Sequence, residues 1–310
     1  MRTDVPLFSV VIPSYNRGPF IADTIDSVLA QRETDREIIV VDDGSTDSTL
    51  EVLAGYGDRI RVFRQQNAGP GAARTLGMRH ARGTYVAFLD SDDLWPPWTL
   101  ATQRAMIDRH GSPAVVASRQ RDIRTTAEMT ALVEEPVVAR RYDDFFASPR
   151  GWWLPSGLVV HRETALGVGG FTDRIRICED ADFWLRLGTA RGFVAIEQPL
   201  CIGYRVHDGN ISASWPGRIH GVRTLMATER AGGYPGGSAR RWERRDYICR
   251  HARPITLGAA RGGELAGSWR LYRETVGWHL RLGRWRYLAG FPLVATGQWF
   301  RHRQRGADGC

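Results

Sequence analysis

Three carboxylates within four residues, Asp90, Asp92 and Asp93, close the apolar run TYVAFL in the stretch FLDSDDLWPP (88–97). Like charges that close repel and lose solvation unless something positive lies among them. A hard divalent cation, Mg²⁺ or Mn²⁺, suits such oxygens together with the phosphates of a substrate. A solvated turn after a strand explains the same four residues. Two more acids, Asp42 and Asp43, follow EIIVV (37–41), and Ser14, Tyr15 and Asn16 follow FSVVIP (8–13). Acids there also favour the positive end of a following helix, and Tyr15 taken alone reads as a core aromatic. NAGPGAARTLG (67–77) sets glycines before a helix start, where free N–H groups suit phosphate and where a tight turn would want them too. In EDADFWLRLG (179–188), Asp180, Phe183, Trp184 and Leu187 recur at i, i+3, i+4 and i+7. Asp180 thus heads an apolar stripe, a setting for a general base; an acid stabilising the first turn is the plainer reading.

The elements that must position these groups are legible as an alternation. FSVVIP, EIIVV, RIRVF (59–63) and TYVAFL read as strands. Between them lie helical patterns: Ile21, Ile25, Val28 and Leu29 in the first, a segment from a Ser45 or Thr46 cap to Gly55, and the Gly-led helix. Such alternation argues for a parallel sheet covered on both faces, with ligands beyond the carboxyl ends of the strands. The polar residues after the first, second and fourth strands should therefore meet on one rim. PAVVAS (113–118), SGLVVHRE (156–163) and GFVAIEQPLCIGYRV (192–206) add strands around a helix over 179–192, whereas 124–146 carries little signal and reads as a variable connection.

Composition bounds the rest. The 310 residues are 43% apolar and 25% charged, the composition of a globular chain. All 42 basic residues are Arg. From Arg240 onward 15 Arg face 5 acids, against a net charge of +8 overall, so the basicity belongs to the tail. No basic reader motif accompanies it, which argues against nucleic acid. Cys178, Cys201, Cys249 and Cys310 have no paired spacing and read as reduced thiols. Neither a signal peptide nor a spanning segment is visible, and YLAGFPLVAT (287–296) is too short and holds a proline. These features suggest a cytoplasmic protein, with possible peripheral contact at the inner membrane face. After Trp215 strand alternation stops, giving an expected division into 1–215 and a helical, Arg/Trp-rich 216–310. Its interleaved Arg and Trp suit an anionic bilayer surface or, alternatively, a packed helical subdomain with solvated arginines.

SVVIPSYNR, VVDDGSTDST, NAGPGAARTLGMRHARGTYVAFLDSDD, GGF and CEDADFWLRL stand in order over roughly residues 7–212. In this they resemble glycosyltransferase family 2, inverting enzymes that use nucleotide diphosphate sugars. The resemblance implies a GT-A type α/β fold: a Rossmann-like, mostly parallel sheet with helices on both faces, here with a helical appendage. It implies that Asp92 of Asp90-Ser91-Asp92 holds Mn²⁺ or Mg²⁺, that Asp90 faces the ribose, and that Asp93 is a supporting neighbour or a cap. Pro13 would give a backbone contact, Tyr15 would lie against the base, and Asp43 would accept from the N3–H of uracil or thymine. Arg74 would sit near the nucleotide, with Thr75 replacing the family's Asn. Asp180 would be the catalytic base with Glu179 as orienting neighbour, and His207 would complete the metal site. Alone, His207 reads equally as a surface histidine, and Trp152, Trp153 and Ser156 lie where acceptors bind in the family. The Gln-x-x-Arg-Trp signature of processive synthases is missing from RLGRW (281–285), so a non-processive member is implied. A UDP or dTDP sugar would pass to a saccharide, lipid-linked or small aglycone acceptor. A non-catalytic nucleotide-sugar-binding module and a nucleotidyltransferase are the competing readings, the second lacking its basic Gly-rich signature at the first strand.

Overall fold

The structure is a computed structural model describing residues 5–148, 153–207 and 214–307, with side chains to residue 297. Cys310 and Trp152 lie outside the described residues. Contacts divide the chain into two units, Met1–Arg174 with Arg186–Gly209, and Ile175–Leu185 with Asn210–Cys310.

The first unit opens as a strand–helix alternation: β1 (Phe8–Ser14), α1 (Gly18–Leu29), β2 (Arg36–Asp42), α2 (Thr49–Ala54), β3 (Arg61–Arg64), α3 (Pro70–His80), β4 (Tyr85–Phe88), α4 (Thr99–Arg109). It continues through β5 (Val115–Ser118), β6 (Gln120–Ile123), α5 (Thr126–Thr130), β7 (Val138–Tyr142), β8 (Leu158–His161) and α6 (Arg162–Gly167). After α7 (Glu179–Arg186), which but for its last residue belongs to the second unit, the first unit ends with β9 (Phe193–Gln198) and β10 (Ile202–Arg205). The main sheet runs β3-β2-β1-β4-β8-β5-β9-β7, and β10 pairs with β6 in a two-stranded sheet. β3, β2, β1 and β4 are mutually parallel, while β8 and β7 run antiparallel to their neighbours, so the sheet is mixed.

Alternation of side chains along β1 explains why both faces are covered. Phe8, Val10 and Ile12 join one core with Ile21, Ile25 and Val28 of α1 and Leu100, Met106 and Ile107 of α4. Val11 points the other way, to α3, where a Cβ on Gly77 would come within 2.4 Å of Val11 Cγ1. Only glycine lets that helix lie so close to the sheet.

Three sequence expectations are corrected. Residues 124–146 are not a bare connection, for they supply α5 and the edge strand β7. No residue of β7 is fully buried: Val138, Arg140 and Arg141 are exposed and Ala139 and Tyr142 half-buried, so this edge strand lacks the continuous apolar run that marks buried strands. Neither Ser45 nor Thr46 caps α2, which starts at Thr49. Asp42 takes the Ser45 N–H into a turn (3.2 Å) and Asp47 takes the Thr49 N–H (3.0 Å), which delays the helix. The helix expected over 179–192 ends at Arg186.

In the second unit stand α8 (Trp215–Arg230), α9 (Arg241–Arg261), α10 (Leu265–Arg281) and α11 (Trp285–Ala307), with α9 packed on the other three. Much of the Arg/Trp interleaving is spent internally. Arg230 and Arg245 both lie over the Trp278 ring, and Arg245 and Arg281 over Trp242, at 4.9–5.6 Å. Arg244 is buried against Glu229 (2.5 Å) and also donates to the carbonyls of Pro235 and Gly237.

His279 of α10 is fully buried beside the Tyr287 ring, and among the described residues neither ring nitrogen has a hydrogen-bond partner. Burial, and then the charges of Arg284 and Arg253, push its pKa down to about 4 against a partial opposing pull from Asp246. The unfolded chain binds this proton below about 6.5 and the folded chain only near 4. The stabilisation from keeping His279 neutral is therefore complete above pH 6.5 and is lost as pH falls through that window, about 3 kcal/mol in all. Urea unfolding of the full chain at pH 7 and pH 4.5 is expected to show this loss, and His279→Leu to reduce it.

Candidate active site

β2, β1 and β4 are adjacent and parallel, so their carboxyl ends lie side by side, with Ser14 opposite Asp42 and Val11 opposite Phe88. Asp43 N–H donates to Ser14 O on one side of β1, and Leu89 N–H to Val11 O on the other. By that two-residue alternation the missing N–H of Pro13 falls on the β4 side, one step past the last paired residue, where a central strand tolerates proline. The expected rim exists.

The loop after β1 is laced to the loop after β2. Asn16, in a left-handed conformation (φ 50°), accepts from Thr46 N–H through its side chain (2.8 Å) and donates its own N–H to Ser45 Oγ. Beside it Tyr15 is 41% exposed, so the core reading fails and the ring is open to solvent at the rim. Asp42 is buried against Ser45 N–H and Arg64 Nε (3.2 Å). Asp43, also buried, accepts from Gln65 Nε2 (2.7 Å) and Ala68 N–H through Oδ1 and from Gly69 N–H through Oδ2, tying down the turn that leads into α3. A carboxylate offers about four lone-pair sites, so one remains for a further donor.

The acidic turn after β4 meets cations supplied by the chain. Arg74, buried on α3, donates to Asp90 Oδ1 (2.5 Å) and lies over the Phe171 ring at 5.2 Å. Arg17 Nε is 3.2 Å, and His207 Nε2 3.0 Å, from the same Asp92 Oδ2. The His207 ring also stacks on Phe20, 4.7 Å between centroids. Ser91 is buried in the turn. The surface reading of His207 gives way, since it and Asp92 converge from segments 115 residues apart. A divalent ion that keeps several waters and takes phosphate oxygens requires only one or two protein ligands. Among the described residues no group of three or more His, Cys, Asp or Glu side chains gathers, and the Asp92 carboxylate beside His207 is the pair that could meet that smaller demand.

Asp93 holds the turn in place. It is fully buried, and its Oδ2 accepts from Ser156 Oγ (2.5 Å) while its Oδ1 accepts from Arg205 N–H (3.0 Å). Its carbonyl accepts from Thr24 Oγ1 of α1, and Ser156 Oγ in turn accepts from Asp90 N–H. Burial, reinforced by the charges of Asp92 and Asp90, pushes the Asp93 carboxyl well above the usual range. Asp93 is thus neither solvated nor a helix cap: it joins the turn to Ser156, to α1 and to the end of β10 that leads to His207. Ser156 is buried and committed to this knot, and Trp153 packs in the core against Phe193 with Arg119 over its ring, so neither is open to an acceptor.

Two features escaped sequence reasoning. Thr75 keeps a polar contact where the family's Asn stands, its Oγ1 accepting from Phe171 N–H (2.9 Å) and donating to Phe171 O. Gly170, at φ 72°, makes room for it, because a Cβ there would come within 2.8 Å of Thr75. GGF therefore clamps the Phe171 ring beneath Arg74. Arg17 follows directly on PSYN, and an arginine beside a rim motif was the available signal.

Glu179 and Asp180 begin α7 and belong to the second unit. Ala181, Phe183, Trp184 and Leu185 are all buried, and so are the acids Glu179 and Asp182, so this short helix is enclosed on most sides rather than along one apolar stripe. Asp182 Oδ1 accepts from the Tyr234 Oη–H at 2.8 Å. Asp180 is half-buried, and among the described residues its carboxylate accepts no hydrogen bond. Its charge reaches the buried Tyr247 and His251 of α9.

The family model described as glycosyl transferase family 2 matches residues 9–164. The putative teichuronic acid biosynthesis glycosyltransferase TuaG of Bacillus subtilis is 32% identical over 214 residues, 67% of this chain and 82% of TuaG. The uncharacterized glycosyltransferase EpsJ of the same organism is 47% identical over 92 residues, 29% of this chain and 27% of its own length. An uncharacterized glycosyltransferase of Rickettsia felis matches over 15% of its length, so the chain spans well under two thirds of these last two relatives. Among solved structures, S. aureus TarS 1–349 in complex with UDP superposes with a TM-score of 0.65 at 18% identity, covering 96% of this chain and 91% of that one. A mannosyltransferase from Pyrobaculum calidifontis, in complex with GDP-Man and Mn²⁺, gives 0.50 at 19%, covering 96% of this chain and 87% of that one. These likenesses give the GT-A type fold.

Ser156→Ala removes at once a donor to Asp93 and an acceptor for Asp90 N–H. Leaving buried polar groups unsatisfied costs about 1–3 kcal/mol. Urea denaturation should show a lowered midpoint of that order with an unchanged slope.

Proposed function

The chain belongs to glycosyl transferase family 2, and from that premise we propose that it transfers a sugar from a nucleotide diphosphate donor to an acceptor hydroxyl with inversion. The observation that carries the reading is the meeting of Asp90, Asp92, Arg74 and His207 at the carboxyl ends of β1 and β4.

In this reading Asp92 and His207 hold Mn²⁺ or Mg²⁺, which when bound supplies charge neutralisation for a diphosphate leaving group. Arg74, fixed between Asp90 and Phe171, adds positive charge beside it, and Asp90 orients the ribose with Ser91 alongside. Tyr15 lies against the base and Pro13 gives it a backbone contact. Asp43 accepts from a base N–H with its remaining lone pair, which favours a uracil or thymine donor, UDP or dTDP. Three donors already fix that carboxylate, so little ordering cost remains to be met on binding.

Asp180 takes the proton from the acceptor hydroxyl, with Glu179 helping to orient it. Positioning and leaving-group stabilisation then supply most of the rate. The acceptor class follows from TuaG, whose name refers to teichuronic acid: a growing cell-surface glycan or glycoconjugate, extended non-processively.

Two substitutions separate the parts. Asp92→Asn should abolish most of the metal-dependent fraction of nucleotide-sugar binding, read by titration calorimetry with and without Mn²⁺. An unchanged metal response would return the acidic turn to a structural role. Asp180→Asn should leave donor affinity near wild type and lower turnover about 10²–10⁴-fold, the usual worth of a positioned base. Near-normal turnover would send the search for a base to Glu179 or Asp182.

A further inference from the structure

α10 and α11 form an antiparallel hairpin turned at Gly283 (φ 65°), and their outer surfaces do not match the rest of the second unit. On α11, Trp285 and Leu293 are 64% and 74% exposed. With Ala289 and Thr296, also exposed, they recur at spacings of four, four and three residues, which puts them on one face. On α10 the exposed residues Ala266, Arg270, Arg273, Gly277 and Leu280 repeat in the same way. Trp285 and Leu293 of α11, with Leu280 of α10 (44% exposed), are three large apolar side chains in solvent on two neighbouring helices, not one scattered single.

Between the two helices lies a cleft of about 580 Å³, floored by Leu265, Trp269 and Ala295 and rimmed by Arg270, Arg273 and Glu274. Glu274 is already taken, both its oxygens accepting from Arg223 Nε of α8 at 2.9–3.1 Å. Arg270 and Arg273 have no ion pair among the described residues, unlike Arg244, Arg250 and Arg284 in the same unit. An apolar slot of ligand size with two uncommitted guanidinium groups at its mouth calls for an apolar chain that ends in an anion.

We propose that the α10–α11 face docks on an anionic phospholipid bilayer, with an acyl chain in the Leu265–Trp269–Ala295 cleft and lipid phosphate on Arg270 and Arg273. Trp285 and Leu293 enter the interface beside it. Among the described residues no helix is long and apolar enough to cross a membrane, so the contact is one of surface insertion. Charge complementarity favours lipid over a second copy of the chain, because two such faces would bring arginines of one sign together. The contact stands independently of the transferase reading.

Flotation of the full chain with vesicles tests it, using phosphatidylcholine alone and phosphatidylcholine mixed with phosphatidylglycerol, at low and high salt. Binding is expected only to the anionic vesicles and should weaken with salt. Each arginine near the surface is worth about five-fold in partitioning, so Arg270→Gln with Arg273→Gln should reduce it about 25-fold. Leu293→Glu should reduce it about ten-fold or more, while Arg140→Gln, in the first unit, should leave it unchanged. All variants alter exposed positions, and unchanged far-UV circular dichroism and melting temperature would establish their folding. No binding to anionic vesicles, equal binding to both kinds, or binding indifferent to the α10 and α11 substitutions would each overturn the proposal. So would a chain that ignores vesicles but loses self-association on Leu293→Glu, since that face would then join copies of the chain.

Discussion

The buried Asp93 carboxylate is the constraint on which the geometry of the first unit's rim depends. It takes one hydrogen bond from Ser156 Oγ and one from Arg205 N–H, and the same residue's carbonyl takes a third from Thr24. Removing such a group from water is costly unless donors meet it in fixed geometry. The requirement runs both ways. Because Asp93 must be satisfied, the acidic turn, α1, the Pro155–Gly157 turn and the end of β10 cannot shift independently, and Asp92 and His207 are left facing each other at 3.0 Å.

The electrostatics of the turn follow from this arrangement. Asp90 and Asp92 cannot relax apart, so the chain answers their repulsion with Arg74 and Arg17. Arg74 is itself fixed by the Phe171 ring, and Phe171 by Thr75 across the space that Gly170 leaves open. Side chains fixed this way would need little ordering to meet a ligand, which keeps binding energy for orientation.

Much of this was legible in the sequence because parallel α/β units announce themselves locally. Buried strands are continuous β-branched runs, and their polar exits fall on a common rim, so the sequence alone places Tyr15, Asp43 and the Asp90–Asp93 cluster together. The Asp93–Ser156–Arg205 knot could not, since its members are 63 and 112 residues apart and nothing in their types marks them. β7 was hidden by its exposed arginines, and the start of α2 by turn hydrogen bonds that outbid the cap. In the helical unit composition left two readings open, a bilayer-facing surface and a packed subdomain, because interleaving does not say which rings are used inside the bundle. Trp242 and Trp278 stack with arginines there, whereas Trp285 and Leu293 are the most exposed large apolar residues of its helices.

The proposed transfer requires the rim to hold a nucleotide diphosphate through a divalent cation at Asp92. The most direct test is the melting temperature of the full chain with UDP-, dTDP- and GDP-sugars, each with Mn²⁺ and with chelator. A ligand that binds only the folded state raises the melting temperature in proportion to its affinity and concentration. The expected result is a rise with a uracil or thymine nucleotide sugar that is largely lost when the metal is removed. A melting temperature unmoved by every nucleotide sugar, or a rise that survives chelation in full, would contradict the account.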